Sequence, residues 1–322
     1  MEQCDLFAVF DGHSGAGVVR HTVEFLPSRI KAALEAAGPD ILNQPEQIKT
    51  ILKKVFIEHD KDLAKNLLTL GDSGSTATVA LVTPTRIIVA YIGDSPCFLM
   101  DPNVGLILPG GEMGKHEPSL ATENARIQRA GGTVEIDDQG VPRIDGLMVS
   151  RAFGDFSIKF PDPNSRPFGI KTPPPYDADW SEMKVTAHPD FVVWDRPESG
   201  LLALMSDGMV ETDSTLLKPL PQVAADIFKV LKANAYDLPK TALAAVQAHV
   251  KESVEAAGPP YDGDDLSLLI VDVGRGGTPQ TGGSVAAAVV KMTAGRPKSR
   301  RAGKKKARTM KTNRLIKMFT VG

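Results

Sequence analysis

Three apolar runs of strand length abut an aspartate and a glycine, and no other feature constrains this chain so strongly. "LFAVF" (6–10) runs into Asp11-Gly12, "LLALMS" (201–206) runs into Asp207-Gly208, and "LSLLIVDV" (266–273) follows Asp262-Gly263-Asp264-Asp265. The first run has no apolar-polar alternation, so it reads as a strand buried on both faces. One Asp-Gly at a strand end is an ordinary turn, because both residues are turn formers. Three at the tips of three core strands form a pattern. Strand ends from one sheet can converge, and converging carboxylates repel each other and lose solvation unless they are neutralised. A hard divalent cation does this, since Mg²⁺ and Mn²⁺ take carboxylate, backbone carbonyl and water oxygens. The glycines leave backbone carbonyls accessible there.

The stretches between these runs set the architecture. Residues 15–37 and 45–69 read as helices, the second with Ile48, Ile51, Leu52, Val55, Phe56, Leu63 and Leu67 on one stripe. Strands are expected at 76–82, 86–93 and 97–100, then a short helix at 119–130. "GTVEI" and "GLMVS" are expected as further strands around the Gly140 turn. Six prolines between 156 and 185 argue against regular structure in a long loop. Strands return at 191–194 and 201–206. Helices follow near 219–232 and 239–257, the latter with Leu243, Val246, Val250 and Val254 on one face. The last strand is 266–273. This order, with no regular βαβ alternation, predicts an α+β fold with mostly antiparallel sheets covered by helix pairs.

Charge divides the chain. Residues 296–322 hold eleven Lys or Arg and no acid, while the rest carries 26 basic residues against 39 acidic. An acidic body does not suggest a nucleic-acid enzyme and suits a protein that holds cations. Residues 274–322 read as a Gly-rich, then basic tail, expected to be disordered. The stretch 296–317 is equally a candidate for binding a nuclear import receptor or a polyanion. Cys4 and Cys97 cannot form a disulfide framework. No run reaches the ~18 apolar residues of a membrane span, and the first residues lack a signal-peptide pattern. These features predict a cytoplasmic or nuclear protein with no membrane partner.

Seven motifs in order carry a resemblance: "FAVFDGHSG" (7–15), "GSTATVAL" (74–81), "VAYIGDS" (89–95), "RIQRAGGTV" (126–134), "VSRAFGD" (149–155), "ALMSDGM" (203–209) and "DDLSLLIVDV" (264–273). Together they resemble the metal-dependent serine/threonine phosphatases of the protein phosphatase 2C (PPM) type, over roughly residues 5–273. The resemblance implies a four-layer α-β-β-α fold, a central β-sandwich flanked by pairs of antiparallel helices, with two Mn²⁺ or Mg²⁺ ions in a cleft at one end. It implies that Asp11 bridges both metals, Gly12 gives one its carbonyl, and Asp207 and Asp264 ligate the other. It further implies that His13 is the general acid and that a water held between the metals attacks the phosphorus of phosphoserine or phosphothreonine in proteins. Residues 1–273 would be the catalytic domain, 156–185 a flap beside the cleft, and the protein a monomer acting on phosphoproteins. On this reading "GSTATVAL" and "VSRAFGD" are architectural, with Arg151 and Asp155 as a possible buried pair. His21, His59, His116, His188 and His249 are read as surface or satisfied core groups.

The chain departs from the family pattern in four places. Family members carry a strand or two ahead of the Asp-Gly-His strand, with an arginine that grips the substrate phosphate and an acid near the metals; here Met1 stands five residues before that strand, predicting an exposed sheet edge and impaired activity. Asp-His-Lys-Pro reads Lys115-His116-Glu117-Pro118, the pair after the second Asp-Gly reads Val210-Glu211, and Gly-Asp-Ser is followed by Pro96. Two other readings therefore stand beside the phosphatase: a catalytically weak or inactive pseudophosphatase acting as a binding or scaffold module, and a metal-dependent hydrolase of small phosphate esters.

Overall fold

The computed structural model describes residues 4–101, 105–107, 115–164, 169–171, 174–213, 216–257, 266–275, 287–292 and 313–321. The chain opens with β1 (Cys4–His13), then α1 (Gly17–Ala37), α2 (Pro45–Lys65) and the single turn α3 (Leu67–Leu70). Next come β2 (Gly74–Ser75), β3 (Ala77–Val82), β4 (Arg86–Ile92), β5 (Cys97–Asp101) and β6 (Gly105–Ile107). After α4 (Ala121–Arg129), the short strands β7 (Glu135–Ile136) and β8 (Pro142–Arg143) pair with each other, and β9 (Phe153–Gly154) leads into the one-turn α5 (Phe156–Lys159). Strands β10 (Asp190–Asp195), β11 (Leu201–Met205), β12 (Glu211–Asp213) and β13 (Leu216–Leu217) precede helices α6 (Leu220–Ala233) and α7 (Leu238–Ala257). Strands β14 (Leu266–Asp272), β15 (Ala287–Met292) and β16 (Asn313–Val321) follow.

Two large antiparallel sheets result, beside the two-stranded pairs β7-β8 and β12-β13. One has the order β10-β4-β3-β1-β2-β9, with β16 also paired to β1; the other is β15-β14-β11-β5-β6. Side-chain alternation along each strand builds the layers. Phe7 and Val9 of β1 meet Leu202 and Leu204 of β11 and Leu269 and Val271 of β14 between the sheets. Leu6, Ala8 and Phe10 face the other way, onto α1 and α2 through Leu26, Ile30, Leu52 and Phe56. Ala203, Met205, Leu268 and Ile270 similarly meet α6 and α7 through Ile227, Leu231 and Val246. A strand packed on both faces cannot alternate apolar with polar, which is why these runs are so uniformly apolar. The fold is thus the expected four-layer α+β sandwich. Cys4 and Cys97 are free and buried, and burial raises the Cys4 thiol to about 11. Among the described residues, no helix is long and apolar enough to cross a membrane.

Several local expectations are corrected. "GLMVS" is no strand: Asp145 and Gly146 both take positive φ, and the backbones of Ile144 and Leu147 bond each other across the tight turn they make. The proline-rich segment is not wholly irregular, since α5 forms ahead of its first proline and a 3-10 turn spans Trp180–Glu182. On α7 the buried positions include Leu238, Thr241, Ala242, Ala245, Val246, His249 and Ser253, so Leu243 falls outside the packed stripe and is exposed.

Two stretches of the expected tail are strands. β15 pairs with β14, and β16 pairs with β1 from Cys4–Gly12. Residues 5–9 of β1 pair with β3 and β16 at once, so β16 runs along the edge of β1 that was expected to be exposed. The rest of 274–322, apart from Gly274 and Arg275, lies outside the described residues.

Candidate active site

β1 delivers Asp11, Gly12 and His13 to one end of the first sheet. Asp11 is buried, and its backbone is clamped on both sides of one residue. Its N–H donates to Thr76 Oγ1 at 3.2 Å, and the Thr76 N–H donates to its carbonyl at 2.8 Å. Behind them the Thr76 and Ser95 hydroxyls bond at 2.8 Å, and Thr78 Oγ1 donates to the Ser95 carbonyl at 2.6 Å. "GSTATVAL" and "GDS" therefore form a hydroxyl ladder that holds the strand end rigid.

The His13 imidazole is held by a residue that sequence reasoning treated as architectural. Its Nε2 lies 2.8 and 2.9 Å from the two carboxylate oxygens of Asp155. The expected Arg151–Asp155 pair does not form; Asp155 serves His13, and Arg151 pairs with Glu123 and Asp190. Asp155 sits at φ 53, a left-handed conformation that Asp tolerates better than most residues. Its N–H donates to the Ser73 carbonyl at 3.0 Å. Gly74 makes the approach possible: a Cβ there would stand 2.1 Å from His13 Nε2 and 2.2 Å from Asp155 Oδ2. The "GST" and "FGD" motifs thus fit together around the histidine, a signal present in the sequence only as two unrelated glycine-bearing stretches.

Burial disfavours a charged His13, yet the pKa of His13 is raised. The Asp155 carboxylate outweighs desolvation as both charge and hydrogen-bond partner, and Asp207 adds to it, while Lys159 opposes. Asp207 belongs to the other sheet. It ends β11 in a 3-10 turn, with its Oδ1 accepting the Gly208 N–H at 2.7 Å. The neighbouring Ser206 fixes this tip to β14, since its hydroxyl accepts the Ser267 N–H at 3.0 Å.

A buried ion pair anchors the Asp155 loop to α2. Lys159 Nζ lies 2.5 Å from Asp60 Oδ2 and 3.0 Å from the Ala152 carbonyl, and Asp60 Oδ1 accepts the Gly154 N–H at 2.8 Å. A second polar cluster absorbs three more motifs. Glu123 accepts from Arg151, Arg126 and Ser150, at 2.6, 2.6 and 2.5 Å. Arg151 also reaches Asp190 at 2.9 Å, and His116 bonds Asp190 at 3.2 Å while its Nδ1 accepts the Gly93 N–H. His116 is thereby a satisfied core group, as expected, stacked on Tyr91 at 4.9 Å. Lys115 beside it is exposed.

β1 carries Asp11, Gly12 and His13 at one strand end, and Asp207 follows β11 of the other sheet; Asp264 lies outside the described residues. Among the described residues no three acidic, histidine or cysteine side chains form a ready cation site. The oxygen donors present, two carboxylates on rigid strand ends and a glycine carbonyl, are those a hard divalent cation selects.

Comparison with known proteins identifies the fold and the family. The family model described as protein phosphatase 2C matches residues 2–214. The chain is 32% identical over 211 residues to "Probable protein phosphatase 1N" of Homo sapiens, covering 65% of this chain and 43% of that protein. It is 30% identical over 172 residues to "Protein phosphatase 1L" of Bos taurus, covering 51% and 46%. The chain thus spans less than half the length of these relatives. A solved phosphatase from Toxoplasma gondii superposes with a TM-score of 0.65 at 21% identity, covering 89% of this chain and 88% of that one. A serine-threonine phosphatase 2C from the same organism gives 0.61 at 19%, covering 84% and 85%. The folds therefore agree, and with the motif order and the family match over most of the sandwich, this chain belongs to the protein phosphatase 2C family.

Proposed function

We propose that this protein hydrolyses phosphoserine and phosphothreonine in proteins, with Mn²⁺ or Mg²⁺ held by Asp11, the Gly12 carbonyl, Asp207 and Asp264. The observation that supports it most is the His13–Asp155 pair at the end of the strand that carries Asp11 and Gly12. Divalent cations, when bound, supply Lewis-acid activation of water and of the phosphoryl group. The protein's own residues do the rest. Asp155 accepts a hydrogen bond from the His13 Nε2–H, fixing the ring and favouring its protonated form. The proton for the leaving group is then the one on Nδ1. Water oxygen bonds to phosphorus, the bond to the serine or threonine oxygen breaks, and that oxygen takes the Nδ1 proton, leaving alcohol and inorganic phosphate. A positioned acid contributes roughly 10²–10⁴-fold to such a step.

The test is hydrolysis of a phosphoserine peptide with added Mn²⁺, comparing the chain with Asp207→Ala. Turnover lost in the variant supports the assignment, and equal silence of both at high protein concentration overturns it. Tight Mn²⁺ binding without turnover would instead favour the pseudophosphatase reading, to which the exposed Lys115 points. Faster turnover of a small phosphate ester than of a phosphoprotein would favour the third.

A further inference from the structure

α6 and α7 leave between them a cavity of about 510 Å³, walled by Met209, Val223, Ile227, Val230 and Ala245. That volume lies within the range that holds small molecules. Its charged groups gather where Lys218, Asp226 and Glu252 line it. Lys218 Nζ stands 2.5 Å from Asp226 Oδ2 and 2.6 Å from Glu252 Oε2. Burial works to lower the Lys218 pKa, but the two carboxylates outweigh it and raise it, so the lysine stays charged. Two carboxylates therefore share one ammonium, and one negative charge is left over at this end of the cavity. The other titratable groups on the wall are His249 and Lys229; Lys229 is exposed, and solvent and salt screen its charge. The cavity also meets the tip that carries Asp207. Met209, two residues on, packs with Val223 and Ile227, and the Lys218 N–H donates to the Val210 carbonyl at 2.6 Å.

We propose that this cavity binds an amphipathic amine, with a linear apolar chain lying between the two helices and an ammonium head bonded to Asp226 and Glu252 beside Lys218. An ionised carboxylate has about four acceptor sites, so both have acceptors to spare after Lys218. A second ammonium balances the cluster at two charges of each sign, whereas an anionic head would face the surplus negative charge. The apolar walls supply the affinity, since removing hydrocarbon from water is favourable whatever the head. The head supplies a modest preference, since half-exposed ion pairs are individually weak. The site is separate from the candidate active site, where Asp11, Gly12 and His13 end a strand of the other sheet. A chain seated against Met209 bears on the segment that carries Asp207.

The experiment measures binding of decylamine, decanol and decanoate to the full chain by calorimetry, each below its micelle concentration and without added metal, together with hydrogen exchange across 207–210. Neither readout depends on turnover, so the proposal stands or falls apart from the hydrolase reading. Decylamine should bind about threefold to tenfold more tightly than decanol, and decanoate more weakly than either. Lys218→Met keeps an apolar stem and frees both carboxylates, so it should tighten decylamine binding by about threefold to tenfold. Asp226→Asn with Glu252→Gln should bring decylamine down to the level of decanol. Both of these positions are half-exposed, so the double variant tests the head even where Lys218→Met does not fold. Ala248→Phe narrows the cavity from an exposed position on its wall and should weaken all three ligands. Exchange across 207–210 should slow when decylamine binds. The proposal is overturned by no decylamine binding to the wild type, or by decanol or decanoate binding as tightly as decylamine, which would mean a cleft that does not select an ammonium. It is equally overturned by weaker decylamine binding in Lys218→Met, by unchanged binding in Ala248→Phe, which would place the ligand elsewhere, or by unaltered exchange across 207–210.

Discussion

His13 Nε2 stands 2.8 Å from Asp155 Oδ2 and 2.9 Å from its Oδ1, although the two residues belong to motifs far apart in the chain. The pair gives the imidazole a fixed orientation and a nearby negative charge, and it stands where the Asp11 strand ends. On the proposed mechanism Asp155 is a positioning residue acting through His13.

Asp155→Asn keeps the shape of the pair and removes its charge. We expect kcat on a phosphoserine peptide to fall about tenfold to a hundredfold with little change in KM. A variant with wild-type kcat would show that the carboxylate has no part in catalysis.

Gly74→Ala tests the same contact from the backbone side. A methyl group there would stand 2.1 Å from His13 Nε2, so ring and carboxylate must separate. Turnover should drop at least as far as in Asp155→Asn, and phosphate binding should survive. Full activity in this variant would contradict the close approach.

Lys159→Met leaves Asp60 buried without its cation. Breaking a buried pair from one side costs about 3–5 kcal/mol, so Tm should fall by several degrees or more. Burial already raises the Asp60 pKa despite Lys159, and without the lysine it should rise further. Protonation at low pH then relieves the penalty, so the loss relative to wild type should be larger at pH 8 than at pH 5. Asp60→Leu combined with Lys159→Met should be more stable than Lys159→Met alone. A penalty independent of pH would argue against a buried carboxylate.

Glu123 connects acid stability to the Arg151 cluster. Burial works to raise its pKa, but Arg151 and Arg126 outweigh this and lower it to about 2. A carboxylate depressed in the folded state stabilises above its unfolded value. That stability is lost as pH falls from the ordinary glutamate range, about 4.3, towards about 2. Asp190 is lowered as well and acts in the same direction. Glu123→Gln should therefore destabilise the protein at neutral pH and flatten the decline of Tm between pH 5 and pH 2. An unchanged slope would remove Glu123 from the acid transition.

Deleting 313–321 should uncover the outer edge of β1. Backbone amides that β16 protects would then exchange faster, and the free edge should promote association. Exchange along β1 indistinguishable from the full chain would show that β16 does not pair there in solution.

Much of the architecture was legible because burial writes itself into composition. A strand packed on both faces must be apolar throughout, so "LFAVF" and "LLALM" identify themselves. The helices α1, α2, α6 and α7 follow from stripes at helical spacing and from their Gly and Pro boundaries. Errors fell where a local signal was outweighed by one tight turn, as at Asp145-Gly146, or where several small buried residues mattered more than one large one, as with Ala242 and Ala245 against Leu243.

What the sequence alone determined was the uniformly apolar core strands and the helices α1, α2, α6 and α7, which follow from local pattern, and, through motif order, the family fold that layers them. Only the tertiary structure decided which partner each polar group takes. Asp155 lies four residues from Arg151 and could have paired with it, yet it turns to His13 because Gly74 clears the space and the Ser73 carbonyl fixes its backbone. Arg314 lies in a basic run that reads as tail, yet the register of β16 sets it opposite Asp11. Such pairings depend on strand neighbours and on a side chain's reach across layers. Contacts of that kind join residues distant in the chain and leave no periodic trace along it.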